Sequence, residues 1–559
     1  MHRHRAAATL RAMNEPWWRG ATLYQIYPRS FFDANGDGLG DLAGVRERLP
    51  YVASLGVDGI WLSPFFTSPM RDFGYDVSDH RGVDPRFGTL ADFDALVAET
   101  HRLGLKVVID QVWSHTAAEH PWFQESRASR SNPKADWYVW ADPRPDGTPP
   151  NNWQSWMGGP AWRWEPRRRQ YHLHHFLPQM PDLNFHCEAV QQAVLAIARF
   201  WLDRGVDGFR LDTANLYAHD PLLRDNPPAP PGERGDSPVL MQRHAYTMNQ
   251  PESLAFLRRL RTVMDGYPGR MTVGEIGGHD ALATMRAYTR GTDALHTAYS
   301  FAFLGARPEA AAVAATLAPW DDGEGWPALA FSNHDVPRVA SRWGGGSGAG
   351  FSFGGAGTGT APGAGPLTWM ALLLALRGTV FLYQGEELGL PQSEVPFERL
   401  QDPYGIANWP IAPGRDCCRT PFPWQAHAPQ AGFSPHEPWL SCDPVHAARA
   451  VDVQEADPRS LLQRTRELIR LRREQPALRH GSSRVRHAEG EVLALQRGDV
   501  LALFNLGTAP AQLPLAAIGG RPGARLWAAA EAVFDGDTAR LPPGAAAFYR
   551  LPDQTNRPR

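Results

Sequence analysis

Cysteine is scarce: there are four in 559 residues, Cys187, Cys417, Cys418 and Cys442. That is too few to staple a chain of this size. No pair has zinc-ligand spacing backed by histidines, so a disulfide framework and a zinc module are both excluded. Long hydrophobic runs are missing too. The longest, Trp369 to Tyr383, is broken by Arg377 and Gly378 and falls short of the ~20 residues a membrane span requires. The N-terminus, MHRHRAAATLRAMNEPWW, is basic but has no apolar stretch of useful length, so no signal peptide is read. Neither sign of charge dominates. Lys plus Arg total 56 and Asp plus Glu 59, leaving −3, which gives no electrostatic case for nucleic acid or an anionic membrane. A soluble, cytoplasmic protein acting on a small neutral molecule is expected, with monomer and homodimer equally open.

What is abundant is turn-formers and tryptophan: 50 Pro, 53 Gly and 20 Trp. With 43% apolar residues the chain has material for a large core, and its length predicts two to four domains at roughly 150 residues each. Short β-branched and aromatic runs recur at Thr22–Tyr27, Gly59–Ser63, Lys106–Asp110, Gly208–Asp212, Met271–Glu275, Leu295–Phe301, Ala328–Ser332 and Thr379–Tyr383. Amphipathic stretches such as Thr89–Leu103, Ala189–Arg204, Gln250–Met264 and Leu461–Arg472 follow them. Eight strands alternating with helices predict an α/β chain whose parallel sheet closes as a (β/α)8 TIM barrel. The rival, an open doubly wound sheet, lacks its glycine-rich phosphate-binding turn after the first strand.

Two segments interrupt the alternation. About 70 residues follow the third strand and hold eight of the tryptophans, Trp113, Trp122, Trp137, Trp140, Trp153, Trp156, Trp162 and Trp164. This reads as an inserted domain overhanging the barrel rim, with most of its tryptophans packing the insertion and some walling a pocket at the rim. Pro391–Pro438, after the eighth strand, is the other. Beyond residue 480 short alternating runs predict an all-β module. The expected layout is a barrel domain A of residues 1–110 and 182–478, an inserted domain B of 111–181, and a C-terminal β-sandwich domain C of 479–559. The Gly-rich stretch 344–365 is expected to be a flexible surface loop.

Function in such a barrel gathers at the C-terminal ends of the strands. There the third strand leads through Asp110 to His115 in IDQVWSH, and the fourth ends in GFRLDTAN with Arg210 and Asp212. The fifth ends in VGEI with Glu275, and the seventh runs into FSNHDVPR with His334 and Asp335. Any one of these is an ordinary strand-end hydrogen bonder, but three carboxylates and two histidines on one rim are not. Arg210 beside Asp212 should keep that carboxylate ionised and ready to attack. Glu275, near the other acids, should have a raised pKa and serve as proton donor. That pairing suits retaining glycoside hydrolysis, with Asp335 binding sugar hydroxyls as the transition state forms. No Ser or Cys nucleophile competes for the rim.

The segments IDQVWSH, GFRLDTAN, VGEI and FSNHDVPR resemble the four signature regions of the alpha-amylase superfamily, glycoside hydrolase family 13. The resemblance implies Asp212 as nucleophile, Glu275 as acid/base and Asp335 as transition-state stabiliser, with Arg210, His115 and His334 as ligands of the reacting sugar. WWRGATLYQIYPRSFFDANGDGLGDLAG, FGYDVSDH and FLYQGEELG are similar to its oligo-1,6-glucosidase and alpha-glucosidase branch. By that likeness Asp72 and Arg419 should pair on the terminal glucose 4-hydroxyl, Tyr75 should stack under the ring, and Phe176 should lie nearby, making the enzyme exo-acting. Thr213 follows the nucleophile, and in this branch Thr there goes with α-1,4 rather than α-1,6 preference, pointing to maltose and short malto-oligosaccharides. The chain departs from the branch at Met180, where many members carry Gln, and in RTPFPW. The retaining route also permits transglucosylation.

No organic cofactor is expected. Asp33, Asn35, Asp37, Leu39 (through its carbonyl) and Asp41 place oxygen donors at every second residue with glycines between. This is the first half of a calcium loop, without the EF-hand's twelfth-position Glu because Gly44 stands there. By the same likeness it holds a structural divalent cation, Ca2+ or Mg2+. The alternatives are an oligo-1,6-glucosidase, a family member acting on sucrose or trehalose, and a non-catalytic binding subunit. The last should have lost acids from the triad and carry a membrane helix.

Overall fold

The computed structural model describes residues 15–235, 237–305, 309–344, 364–412 and 414–552. Eight parallel strands form its centre: β1 Thr22–Ile26, β2 Gly59–Leu62, β3 Lys106–Gln111, β4 Gly208–Leu211, β5 Met271–Ile276, β6 Thr297–Ser300, β7 Ala328–Ala330 and β8 Thr379–Tyr383. They lie in the order β6-β5-β4-β3-β2-β1-β8-β7, and a parallel bridge between Ala298 and Pro327 joins the two outer strands. The ring is the predicted (β/α)8 barrel. Nearly every strand residue is buried, as expected where side chains fill the barrel on one face and helices cover the other.

One helix follows each strand onto the outside. They are α1 Leu42–Ser54, α2 Leu90–Arg102, α3 Glu188–Asp203, α4 Pro251–Asp265, α5 Ala281–Thr289, α6 Ala310–Leu317, α7 Pro366–Ala375 and α8 Leu461–Glu474. Their starts are legible in the chain. Thr89 and Asp92 form a capping box on α2, and Ser460 caps α8, each satisfying amides that the first turn leaves open. In α3 the buried stripe Val190, Val194, Leu195, Ile197, Ala198, Trp201 and Leu202 repeats every three or four residues, the face that meets the barrel.

The excursion after β3 carries a short helix, Pro121–Ser126, and a small antiparallel sheet of Trp140–Ala141, Gln170–Leu173 and Trp162–Glu165. Bridges His115–Asp182 and Tyr138–Leu183 tie its entrance to its exit. A second long connection runs between β4 and α4 and was not singled out from sequence, although NPPAPPG within it signals an extended loop. It packs on the excursion through Asn152 and Asn226, each donating to the other at 2.9 and 2.8 Å, and through Trp153 Nε1 to the Arg224 carbonyl, 2.9 Å.

The C-terminal module is a five-stranded antiparallel sheet facing a three-stranded one. In strand Val500–Asn505, Leu501 and Leu503 join the core between these sheets, whereas Val500, Ala502 and Phe504 join the barrel-side core. That alternation is the period-two signature of a strand buried on both faces. Among the described residues no helix is long and apolar enough to cross a membrane, and all four cysteines are free. Of the Gly-rich stretch, residues 345–363 lie outside the described residues.

Candidate active site

The strand ends bring Asp110, Arg210, Asp212 and Glu275 together at a fully buried guanidinium. Arg210 Nη1 donates to Asp212 Oδ1 at 2.5 Å and to Asp110 Oδ1 at 2.8 Å. Its Nη2 lies 2.8 Å from Glu275 Oε1. The Tyr299 hydroxyl, 2.8 Å from the same Nη2, donates to Glu275 Oε1 at 3.1 Å. On the other side of Glu275, the Thr213 N–H donates to Oε2 at 3.1 Å. Thr213 has φ +43°, a left-handed conformation that costs a β-branched residue strain and here aims its amide at the acid.

Asp335 sits in a different field. Arg419 Nη2 donates to its Oδ1 at 2.9 Å, with Arg415 Nη1 at 3.4 Å and His334 Nε2 3.3 Å from Oδ2. Behind it the Tyr75 and His334 rings stack with centroids 5.2 Å apart and planes 2° from parallel. The Tyr75 hydroxyl contacts His334 Nε2 at 2.5 Å and Asp110 Oδ2 at 3.0 Å. Tyr75 and Asp335 line a pocket together with Asp72, His115, Met157, Phe176, Met180, Asp212, Thr213, Glu275 and Arg415; Arg210, His334 and Arg419 are not in its lining.

Electrostatics separate the acids. Six carboxylates, Asp72, Asp110, Asp212, Glu275, Asp335 and Asp402, share the three guanidiniums of Arg210, Arg415 and Arg419. There is too little positive charge to keep all six ionised in a dry site. Burial pushes Asp212 up to about 7, against Arg210 and with help from Asp110. Burial likewise takes Glu275 to about 7 and Asp110 to about 6. Asp335 goes the other way: burial alone would raise it, but His334, Arg419 and Arg415 hold it well below the usual carboxylate range. The expected proton donor therefore has its raised pKa. The expectation that Arg210 keeps Asp212 fully ionised is corrected, because one cation divided among three carboxylates does not offset their desolvation.

Two further placements differ from the sequence reading. Asp72 pairs with Arg415, at 2.5 Å, and not with Arg419, whose guanidinium is spent on Asp335 and on the His334 carbonyl at 2.7 Å. Arg415 stands four residues earlier, in GRDCCRTP, and is braced by Asp402 at 2.7 Å. None of the eight tryptophans lines the pocket. Trp153 stacks on Trp162 at 5.7 Å in the core of the excursion, Trp113 is fully buried against Phe209 of the barrel, and Trp164 is exposed. Met157, Met180 and Phe176 supply the apolar walls there. The Phe176 and His115 ring centroids lie 5.2 Å apart.

In the oxygen-rich loop, Asp33 accepts the N–H groups of Gly36 and Gly38 at 2.7 and 2.8 Å and the Ser434 hydroxyl at 2.7 Å. Asn35 and Asp37 accept the amides two residues on, each at 2.9 Å. Asp41 caps α1 through the Gly44 N–H at 2.6 Å. Among the described residues no group of three or more Asp, Glu, His or Cys is arranged to hold a metal. The donor set, all oxygen and including two buried carboxylates, is of the type that suits a hard divalent cation.

A parallel barrel with carboxylates clustered at its C-terminal rim, Asp212 and Glu275 with raised pKa values in the lining of one pocket, is the arrangement of a glycoside hydrolase. Residues 25–481 match the model of the alpha-amylase catalytic domain. The chain is 51% identical over 531 residues to a probable alpha-glucosidase of Rhizobium meliloti, covering 92% of this chain and 94% of that one. It is 37% identical to an oligo-1,6-glucosidase of Heyndrickxia coagulans, covering 82% and 85%. Among solved structures, an alpha-glucosyl transfer enzyme, XgtA, is 52% identical with TM-score 0.89, covering 96% of this chain and all of that one. The chain belongs to the alpha-amylase family, glycoside hydrolase family 13.

Proposed function

We propose that the protein is an exo-acting, retaining α-glucosidase that removes terminal non-reducing glucose, preferring α-1,4 linkages in maltose and short malto-oligosaccharides. The observation that carries this reading is the Asp72–Arg415 pair lining the pocket that also holds Asp212 and Glu275. A pocket lined by such a pair accepts one terminal sugar and offers charged groups to its hydroxyls. Asp212 attacks the anomeric carbon while Glu275 passes its proton to the departing glycosidic oxygen, forming a glucosyl ester on Asp212. Glu275, now a carboxylate, takes a proton from water, whose oxygen displaces Asp212 and restores the original configuration. The hold of one guanidinium on both carboxylates supports the close, ~5–5.5 Å class of acid pairs used by retaining enzymes. Asp335, kept ionised by its arginines, binds ring hydroxyls more strongly as positive charge develops.

Similarity to an alpha-glucosyl transfer enzyme favours a second activity on the same intermediate, in which an acceptor hydroxyl replaces water. Products formed from maltose, isomaltose, sucrose and trehalose, with and without added acceptor, test both. Free glucose chiefly from maltose supports the first reading. Isomaltose or sucrose as the preferred donor would replace it by an oligo-1,6-glucosidase or a sucrose-acting enzyme.

We also propose that Asp33, Asn35, Asp37, the Leu39 carbonyl and Asp41 hold Ca2+ or Mg2+ as a structural ion, on the strength of their donor chemistry. The ion takes no part in the reaction. Four free thiols favour a reducing compartment, the cytoplasm.

A further inference from the structure

A chain of four polar groups runs from the pocket wall to the candidate nucleophile, and its protons can be placed one by one. His115 Nε2 lies 3.1 Å from the Tyr75 carbonyl, which only accepts, so Nε2 carries the hydrogen. Burial lowers the His115 pKa against the pull of Asp182 and Asp72, with His175 also facing it, and the ring is neutral. Its Nδ1 is then an acceptor, and the Ser114 hydroxyl at 2.8 Å donates to it. That spends the single Ser114 proton. The 2.9 Å contact between Ser114 Oγ and Thr213 Oγ1 must therefore be a donation from Thr213 to Ser114. Thr213 also has one hydroxyl proton; its Oγ1 lies within donating reach of Asp212 Oδ2 at 3.4 Å, and giving that proton to Ser114 forgoes the longer donation. Asp212 Oδ1 is held by Arg210, which leaves Oδ2 as the oxygen able to attack.

We propose that Ser114 is a positioning residue: by taking the Thr213 hydroxyl proton it prevents that hydroxyl from covering the attacking oxygen of Asp212. A hydrogen bond donated to a carboxylate oxygen stabilises its charge, lowers its pKa and blunts it as a nucleophile. The direction of the chain is set at its far end, by the Tyr75 carbonyl, through two hydroxyls that could otherwise turn. The charged and titratable groups facing Asp212 from the surrounding elements are Arg210, Asp110, Asp335, Glu275 and Tyr217, and none of them is part of this chain. The inference rests on Asp212 being the nucleophile.

Ser114→Ala tests it. With its acceptor gone, Thr213 turns its hydroxyl to Asp212. On an aryl α-glucoside the acid limb of kcat/KM should move to lower pH by about half a unit or more, the size expected of one added hydrogen bond to a carboxylate. At the optimum kcat should fall several-fold while KM changes little. Adding Thr213→Val to Ser114→Ala removes the Thr213 hydroxyl and should return the limb to its original position, and Ser114→Thr should leave it there throughout. An unmoved limb in Ser114→Ala, or a shift that persists in the double variant, overturns the proposal. Labelling with 5-fluoro-α-glucosyl fluoride, read by peptide mass spectrometry, keeps the two claims apart. Label on Asp212 sustains the nucleophile assignment whatever the limb does, and label on another residue overturns both.

Discussion

Arg415 Nη2 stands 2.5 Å from Asp72 Oδ1 and donates as well to Asp402 Oδ1 at 2.7 Å, with Nε reaching Asp402 Oδ2 at 3.2 Å. Both partners of the Asp72–Arg415 pair are almost wholly buried, yet both line the pocket. Truncating one member of a buried, hydrogen-bonded charge pair costs about 2–5 kcal/mol, much of it from the charge left behind.

Arg415→Ala should therefore lower kcat/KM on maltose by roughly 30-fold to several-thousand-fold, at about 1.36 kcal/mol per tenfold. Arg415→Lys should recover only part of that, because an ammonium does not reproduce the planar fork that serves both Asp72 and Asp402. Steady-state kinetics on both variants check it; full activity in Arg415→Ala would remove the pair from the site.

The pH dependence follows from two carboxyls near 7. Activity needs Asp212 ionised and Glu275 protonated, so kcat/KM should be bell-shaped with its maximum close to neutrality, the two groups titrating as a pair. Stability has the opposite slope on the acid side. Unfolded, both groups ionise near their ordinary values of about 4; folded, near 7. The folded state binds more protons across that window, so their contribution to stability is present below it and lost as pH rises through 7. Asp212→Asn, which removes the charge and keeps the shape, should raise the melting temperature more at pH 8 than at pH 5. An equal change at both, by calorimetry, would contradict the assignment.

Thr213→Val should shift the ratio of kcat/KM for maltose over isomaltose towards isomaltose. Thr213 lines the pocket, and Val in its place is what the α-1,6-preferring members of the branch carry. Competition between the two sugars measures the ratio directly, and an unchanged ratio would remove Thr213 as the determinant of linkage.

For the Asp33–Asp41 loop, dialysis against chelator should release about one divalent ion per chain and lower the melting temperature, with restoration by Ca2+ or Mg2+. Elemental analysis that finds no ion before dialysis, with an unchanged melting point after it, would leave the loop as a set of turns.

The barrel and its catalytic rim were legible because each rests on a local pattern. Strand runs alternate with helical stripes, and the three acids sit at or just beyond strand ends: Asp212 directly follows β4, Glu275 is the penultimate residue of β5 and Asp335 comes five residues after β7. The partner of Asp72 was less legible. Arg415 and Arg419 lie four residues apart in one irregular segment, and no periodicity says which of two arginines turns towards a carboxylate 343 residues away. The tryptophans misled for a related reason. Their clustering in sequence marks an excursion, but Trp153 and Trp162 are taken up by its own small core and Trp113 and Trp156 by the core of the barrel, so none lines the pocket. The charge state of Asp212 was misjudged because its immediate neighbour Arg210 is visible in the sequence, whereas Asp110 and Glu275, which compete for the same guanidinium, come from other strands.

The account stands on Asp212 and Glu275 acting in two displacements at one anomeric centre. Proton NMR of the sugar first released from 4-nitrophenyl α-glucoside, recorded before mutarotation, tests this most directly. The account predicts α-glucose as the initial product; β-glucose would contradict it.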